Sequence, residues 1–231
     1  YSLNTGSIQA LRLLGGSETE ITYQGKEKLY DYYYNRFGLG KYTGIELAES
    51  KGTVIPPTDI DGTNARYANM TFGQSLDLTM IQVATAFSAV VNGGDYYTPT
   101  LVAGEIKNGE FVRNVLKERD HQAIESSTSE TMRKMLHTAR LVFPNVKYYD
   151  EGVYVGGKTG TAQVVKNGKY TFDETTATYI GYGARSETDY PEYVIMTKVW
   201  EDNRGLDGGV EAKPIFDEIS QFMVNYLKMR R

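Results

Sequence analysis

Apolar residues at Ile8, Leu11, Leu13 and Leu14 fall at helical spacing and stop at Gly15-Gly16, which predicts a helix over 5–14 with Ser2, Leu3 and Asn4 leading into it. A second helix is predicted from Lys26 to Phe37, where Leu29, Tyr30, Tyr33, Tyr34 and Phe37 share one face and Gly38 follows; the tyrosines read as packing. Tyr42 to Asn69 is rich in Thr, Gly, Pro and Asp, and Pro56-Pro57 forbids helix, so this stretch reads as a long ordered loop able to border a cleft. Leu76 to Val91 is apolar nearly all round and ends at Gly93-Gly94, the pattern of a buried helix. The runs Tyr97 to Ile106 and Glu110 to Val115 flank Asn108-Gly109, a strong tight-hairpin signal, and Ser129 to Leu141 returns to helix.

After Tyr148 the period changes. Val153 to Val165, Lys169 to Phe172, Ala177 to Gly183 and Tyr193 to Trp200 are β-branched or aromatic runs separated by turn residues, which predicts strands of one sheet. Asn167-Gly168 makes the first two a hairpin, so the pairing is antiparallel there, and Ile215 to Leu227 closes the chain as an amphipathic helix. The fold class is α+β in two layers: a mainly helical part over 1–147, and an antiparallel sheet with a C-terminal helix over 148–231.

Composition narrows the chemistry. With no Cys among 231 residues, thiolate metal sites, Fe–S clusters and a Cys nucleophile are out. A net charge of −4, with the terminal Lys228, Arg230 and Arg231 as the obvious basic cluster, argues against nucleic acid as a partner. No run approaches the ~18 apolar residues of a membrane span. His121 and His137 have no acidic partner at ligand spacing and read as surface or packing residues; no metal and no cofactor is expected. The carboxylate pairs Asp59/Asp61 and Glu201/Asp202 read as a loop and a solvated strand end. The first residues lack the features of a signal peptide and of an initiator Met, so the chain is expected to be a piece of something longer.

Gly152-Val-Tyr-Val-Gly-Gly157-Lys158-Thr159 satisfies the phosphate-binding pattern G-x-x-x-x-G-K-[ST] letter for letter. That loop needs a helix directly after Lys-Thr, whereas Gly160-Thr-Ala-Gln-Val-Val165 continues as strand, so the context argues against nucleotide binding. The other reading places Lys158-Thr159-Gly160 at the end of an edge strand that lines a site, with Gly156, Gly157 and Gly160 letting a substrate backbone come close.

Ser2-Leu3-Asn4 ahead of a helix and Lys158-Thr159-Gly160 on a strand resemble the S-x-N and K-T-G signatures of penicillin-binding proteins and serine β-lactamases. The likeness runs in order through Tyr67-Ala-Asn-Met-Thr-Phe-Gly-Gln74, Asn92-Gly-Gly94, Lys158-Thr-Gly-Thr-Ala-Gln163 and Gly208-Gly209 before Pro214, essentially the whole chain. It is similar to a class B penicillin-binding protein transpeptidase domain. Glu211-Ala-Lys-Pro departs from the usual run near the last helix, in a place expected to lie away from the site.

The resemblance implies a penicillin-binding D,D-transpeptidase that cross-links peptidoglycan stem peptides through a serine acyl-enzyme, and that β-lactam antibiotics acylate the same serine. Ser2 would relay protons, and Asn4 would hold the substrate amide and a lysine of the nucleophile motif. Lys158 would supply positive charge, Thr159 and Thr161 would bind the substrate carboxylate beside Gly160, and the Thr161 N–H would form half of an oxyanion hole. Read without the resemblance, Ser2 and Asn4 are helix caps and Lys158 is a solvated strand-end lysine.

No Ser among the 231 residues has Lys three positions later, so the nucleophile's S-x-x-K is absent from this chain. The expectation is therefore the C-terminal portion of one transpeptidase domain, inactive alone and partnered by the N-terminal half of its own domain. The parent is expected on the outer face of the bacterial cytoplasmic membrane, held by an anchor upstream. Loss of the nucleophile's helix should leave an apolar face open on this piece. The alternatives are a noncatalytic relative that binds peptidoglycan peptides, and the nucleotide-binding reading.

Overall fold

A computed structural model describes residues 4–115, 118–142, 152–166 and 169–230. The chain divides into two compact units, one of Ser2–Ala89 with Gly94–Glu125 and the other of Val90–Gly93 with Ser126–Arg231.

In the first unit α1 spans Asn4–Leu14, so Asn4 is its opening residue, and the helix is closed by Gly16 at φ 75° with the Ser17 N–H reaching back to the Arg12 carbonyl. The second predicted helix begins earlier, at Tyr23, because the Thr22 hydroxyl accepts from the Gly25 N–H. This helix, α2 (Tyr23–Tyr30), widens into a π-helical segment over Asp31–Arg36. Its aromatic face packs as predicted: Leu29, Tyr30, Tyr33, Tyr34 and Phe37 lie against the buried Leu11, Leu39, Val54, Tyr67, Met70 and Ala86.

The long loop holds to Thr63 and then differs from expectation, since Asn64–Met70 is a helix, α3. Thr63 caps it by accepting from the Arg66 N–H, and Tyr67 and Met70, three apart, are fully buried. The next helix, α4 (Met80–Val91), starts four residues later than predicted. Thr79 ends the preceding extended stretch by accepting from the Gln82 N–H, and Leu76 and Leu78 pack on the core from outside the helix.

Gln82 holds the loop in place. Its buried amide donates to the carbonyls of Lys41 at 2.5 Å and Lys51 at 2.6 Å and accepts from the Gly40 and Thr79 N–H groups. Gln82→Leu keeps the bulk but strands those backbone groups, so a stability loss of about 2–3 kcal/mol is expected in urea unfolding. A loss indistinguishable from zero would mean the loop is held elsewhere.

Strands in this unit are shorter than the pattern suggested. β1 (Asp95–Tyr96) pairs with β4 (His121–Gln122), while β2 (Gly104–Lys107) and β3 (Glu110–Arg113) form the predicted hairpin. Asn108 at φ 52° and Gly109 at φ 84° both sit in the left-handed region that a two-residue turn demands. The segment 97–102 forms no strand because Pro99 lacks an N–H and its neighbours bond to side chains, Thr98 to Asp120 and Leu101 to Glu46.

The second unit carries a sheet in the order β5 (Tyr154–Lys166), β6 (Lys169–Ala184), β7 (Tyr193–Val199), antiparallel throughout. Residues 167 and 168 lie outside the described residues, but Lys166 pairs with Lys169 as a hairpin requires. Two predicted strands are one, β6, because Glu174 bridges them: its buried carboxylate accepts from Lys166 Nζ and the Asn203 N–H, so a charge is tolerated in mid-strand. The last helix, α6 (Lys213–Tyr226), starts two residues early with Pro214 in its first turn, where no N–H is missed. Phe216 of α6 packs on Tyr179 with ring centroids 4.7 Å apart, beside Val155 and Ala177. The helix predicted at Ser129 begins at Ser126; this α5 (Ser126–Leu141) packs on β5 and so groups with the sheet, although strands begin only after residue 148.

Candidate active site

Lys158, Thr159, Gly160 and Thr161 are consecutive on β5, which among the described residues is an edge strand paired on one side with β6. They fall in mid-strand and not at its end, since pairing runs on to Lys166. That continuation removes the nucleotide reading, because the residues after Lys158-Thr159 form strand where a phosphate loop needs a helix N-terminus.

The glycines have a different purpose from the one expected. A Cβ on Gly156 would lie 2.5 Å from the Tyr182 ring, one on Gly157 2.5 Å from the Tyr179 hydroxyl, and one on Gly160 2.4 Å from the Thr178 hydroxyl. The space beside these glycines is taken by the protein's own side chains, so they serve internal packing and not the approach of a substrate backbone.

Lys158 Nζ donates to the Thr159 carbonyl at 2.9 Å and to its hydroxyl oxygen at 3.2 Å. Partial burial pulls the ammonium below the ordinary lysine value, and the Asp207 carboxylate pushes it back up. The Thr161 hydroxyl oxygen accepts from the Gly208 N–H at 3.2 Å. Each threonine oxygen thus has a donor directed at it, which leaves its own hydrogen to be donated outward. Thr159 and Thr161, two apart, share one side of the strand. Two hydroxyl donors and one ammonium on four consecutive residues suit a carboxylate.

The segment that brings Gly208 to β5 was not apparent from the sequence. A Cβ on Gly208 would lie 2.6 Å from the Gly160 carbonyl, so this position admits no side chain. Asp207 accepts from the Gly209 N–H at 2.7 Å, and Glu211 accepts from the Asp207 N–H at 2.7 Å, a reciprocal cap that fixes the turn. Glu211, expected away from the site, therefore braces the residue beside the one bonded to Thr161. Asp before Gly-Gly, with Glu four residues on, was the available signal.

Beside Lys158 lies an open groove of about 470 Å³, formed by Met135, Thr138 and Ala139 of α5, Val142 after it, and Thr159. Met135 and Val142 are more than half exposed. Asn4 is exposed at the start of α1 and belongs to the other unit, while Ser2 lies outside the described residues. Both histidines have packing roles: His121 stacks on Tyr96 and bonds the Arg36 carbonyl, and His137 stacks on Tyr154 and bonds the Val155 carbonyl.

An antiparallel sheet backed by a C-terminal helix, with Lys-Thr-Gly-Thr on the strand beside it, defines the class: an α+β fold of helices and antiparallel sheet. The chain belongs to the penicillin-binding protein transpeptidase domain family, which matches residues 1–221. It is 35% identical over 199 residues to stage V sporulation protein D of Bacillus subtilis, and 27% identical over 212 residues to penicillin-binding protein PbpB of Mycobacterium tuberculosis. These alignments cover 84% and 87% of this chain and 30% of each relative, so the chain spans about a third of their length.

Among solved structures, penicillin-binding protein 3 of M. tuberculosis complexed with aztreonam superposes with a TM-score of 0.76 at 25% identity, over 97% of this chain and 49% of that one. The transpeptidase domain of Burkholderia pseudomallei penicillin-binding protein 3 gives 0.73 at 21%, over 97% of this chain and 61% of that one. The resemblance to class B penicillin-binding proteins and the α+β fold are borne out by these relatives.

Proposed function

We propose that this chain is the carboxylate-binding portion of a peptidoglycan D,D-transpeptidase. The observation that carries the reading is the pair of threonine hydroxyls, each already accepting a hydrogen bond, set beside the Lys158 ammonium on an edge strand. In this reading Lys158, Thr159 and Thr161 hold the terminal carboxylate of a stem peptide, with Gly160 between them, and the Thr161 N–H faces the oxygen that becomes an oxyanion. A serine oxygen attacks the penultimate D-Ala carbonyl, the C–N bond to the terminal D-Ala breaks, and that D-Ala leaves with the proton. An amine of a neighbouring strand then takes the acyl group and frees the serine. Ser2 relays the proton and Asn4 holds the substrate amide. A β-lactam, whose carboxylate would occupy the same donors, acylates the serine in place of the peptide.

The 231 residues contain no Ser-x-x-Lys, so the reading assigns the nucleophile to a further segment of the same transpeptidase domain, and this piece alone is inactive. Three observations support a partner of that kind. The groove beside Lys158 is open and lined by exposed apolar side chains. On α6, Ile215, Ile219, Phe222 and Tyr226 form an exposed stripe at helical spacing, opposite the face that packs on the sheet. The relative's isolated transpeptidase domain is longer than the part this chain matches. Among the described residues no helix is long and apolar enough to cross a membrane, so the proposed place on the outer face of the cytoplasmic membrane depends on an anchor elsewhere in the protein.

The test is intact mass before and after incubation with benzylpenicillin, for the 231-residue chain alone and for the full protein it belongs to. The expected result is no adduct on the chain alone and a single penicilloyl adduct on the full protein, at a serine outside these residues. A full protein without Ser-x-x-Lys that binds stem peptide but takes no adduct would establish the noncatalytic alternative.

A further inference from the structure

The β2–β3 hairpin carries three large apolar side chains, Ile106, Phe111 and Val112, and all three are exposed. Its register pairs Ile106 with Phe111 and Gly104 with Arg113 on one face, and Glu105 with Val112 and Lys107 with Glu110 on the other. Ile106 is 77% and Phe111 59% exposed, and among the described residues β2 pairs with β3 alone. The Asn114 N–H donates to the Ala103 carbonyl, so the alternation of an antiparallel pair turns the backbone groups of Ala103, Glu105 and Lys107 toward β3. Those of Gly104 and Ile106 therefore point outward, an unpaired edge of the kind that recruits another strand.

We propose that this edge is a self-association surface, on which two copies of the chain pair their β2 strands antiparallel about a two-fold axis through Ile106. A two-fold axis normal to the sheet allows only registers that keep each residue on its own face. Centring on Glu105 would set two carboxylates opposite each other. Centring on Ile106 sets Glu105 opposite Lys107 of the second copy, twice, and these two side chains already meet within one copy at 3.2 Å. Charge thus selects the register.

In that register one face carries an unbroken row across four strands: Phe111 and Ile106 of one copy, then Ile106 and Phe111 of the other. The opposite face places each Lys107 between Glu110 of its own strand pair and Glu105 of the other copy. Each strand is four residues long, so the association belongs to the small, reversible class.

The chain has no cysteine, which allows a direct test by thiol cross-linking. At the two-fold position the Cα atoms of Ile106→Cys would stand about 5.5 Å apart, within disulfide reach. Pairing would hold the thiols at an effective concentration in the mM range, so at about 0.1 mM protein Ile106→Cys should cross-link about tenfold faster than collision controls. Val115→Cys and Ile60→Cys, at 92% and 94% exposed positions of the same unit, supply those controls. Adding Glu105→Lys to one sample and Lys107→Glu to another should slow each alone and restore the rate when the two are mixed, with the hetero-dimer dominant by mass. Cross-linking of Ile106→Cys no faster than the controls would overturn the proposal, as would a mixture that stays as slow as its components.

Discussion

Replacing Lys158 by Met in the full protein is expected to slow acylation by benzylpenicillin about 100- to 1000-fold, the scale set by removing one preorganised charge or donor from an acyl-transfer site. The fold should survive, because Lys158 bonds only to its own neighbour, Thr159, among the contacts described above. Stability should in fact rise. The folded pKa of Lys158 lies below the ordinary 10.5, so between the two values the unfolded chain holds more protons and stability increases with pH. Below the folded pKa the charged lysine costs stability that Met does not, so at neutral pH the variant gains in melting temperature while losing activity. A lysine kept for packing would give the opposite pair of results.

With Lys158 in the proposed role, the same burial is expected to give acylation an alkaline limb that begins below pH 10.5, as the ammonium loses its charge. Lys158→Arg should move that limb beyond about pH 12, since a guanidinium stays charged there. Acylation rates of Lys158→Met within a factor of two of the parent would remove Lys158 from the site.

What could be read in advance follows from which interactions are local. The helices α1, α2, α4, α5 and α6 show in the period of their apolar residues, and the β2–β3 turn shows in Asn108-Gly109, because a few neighbouring residues decide them. The ends shift by two to four residues where a cap lies outside the apolar run, as Thr22 and Thr79 do. The α3 helix was hidden by the Pro- and Asp-rich stretch before it, although Thr63 caps it and Tyr67 and Met70 mark its buried side.

At the site, the motif placed Lys158, Thr159, Gly160 and Thr161 on a strand, and period two set the threonines on one side. The neighbours of that strand were not legible. Gly208 reaches Thr161 across 47 residues of sequence, and Asp207 and Glu211 act through it. The glycines looked like clearance for a ligand until Tyr179, Tyr182 and Thr178 were seen to occupy the space. A motif names side chains in order, whereas tertiary packing decides what stands opposite them.

The largest stability effect should come from a residue no motif touches. Asp217 of α6 is buried and accepts from Arg140 Nη1 at 2.8 Å and from Lys213 Nζ at 2.7 Å; both cations are themselves buried. Arg140 comes from α5 and Lys213 from the first turn of α6, so this carboxylate ties the two helices of the sheet unit together. Asp217→Ala removes an anion that two buried cations share, which is expected to cost about 3–5 kcal/mol. Replacing Arg140, Lys213 and Asp217 together by Met, Met and Leu should cost less than the single change, because the desolvation of the charges disappears with them. Urea unfolding followed by Trp200, the single tryptophan and a member of the same unit, reads both variants. If the triple variant were the less stable of the two, the attraction within the cluster would outweigh the cost of burying it, and these charges would stabilise the fold outright.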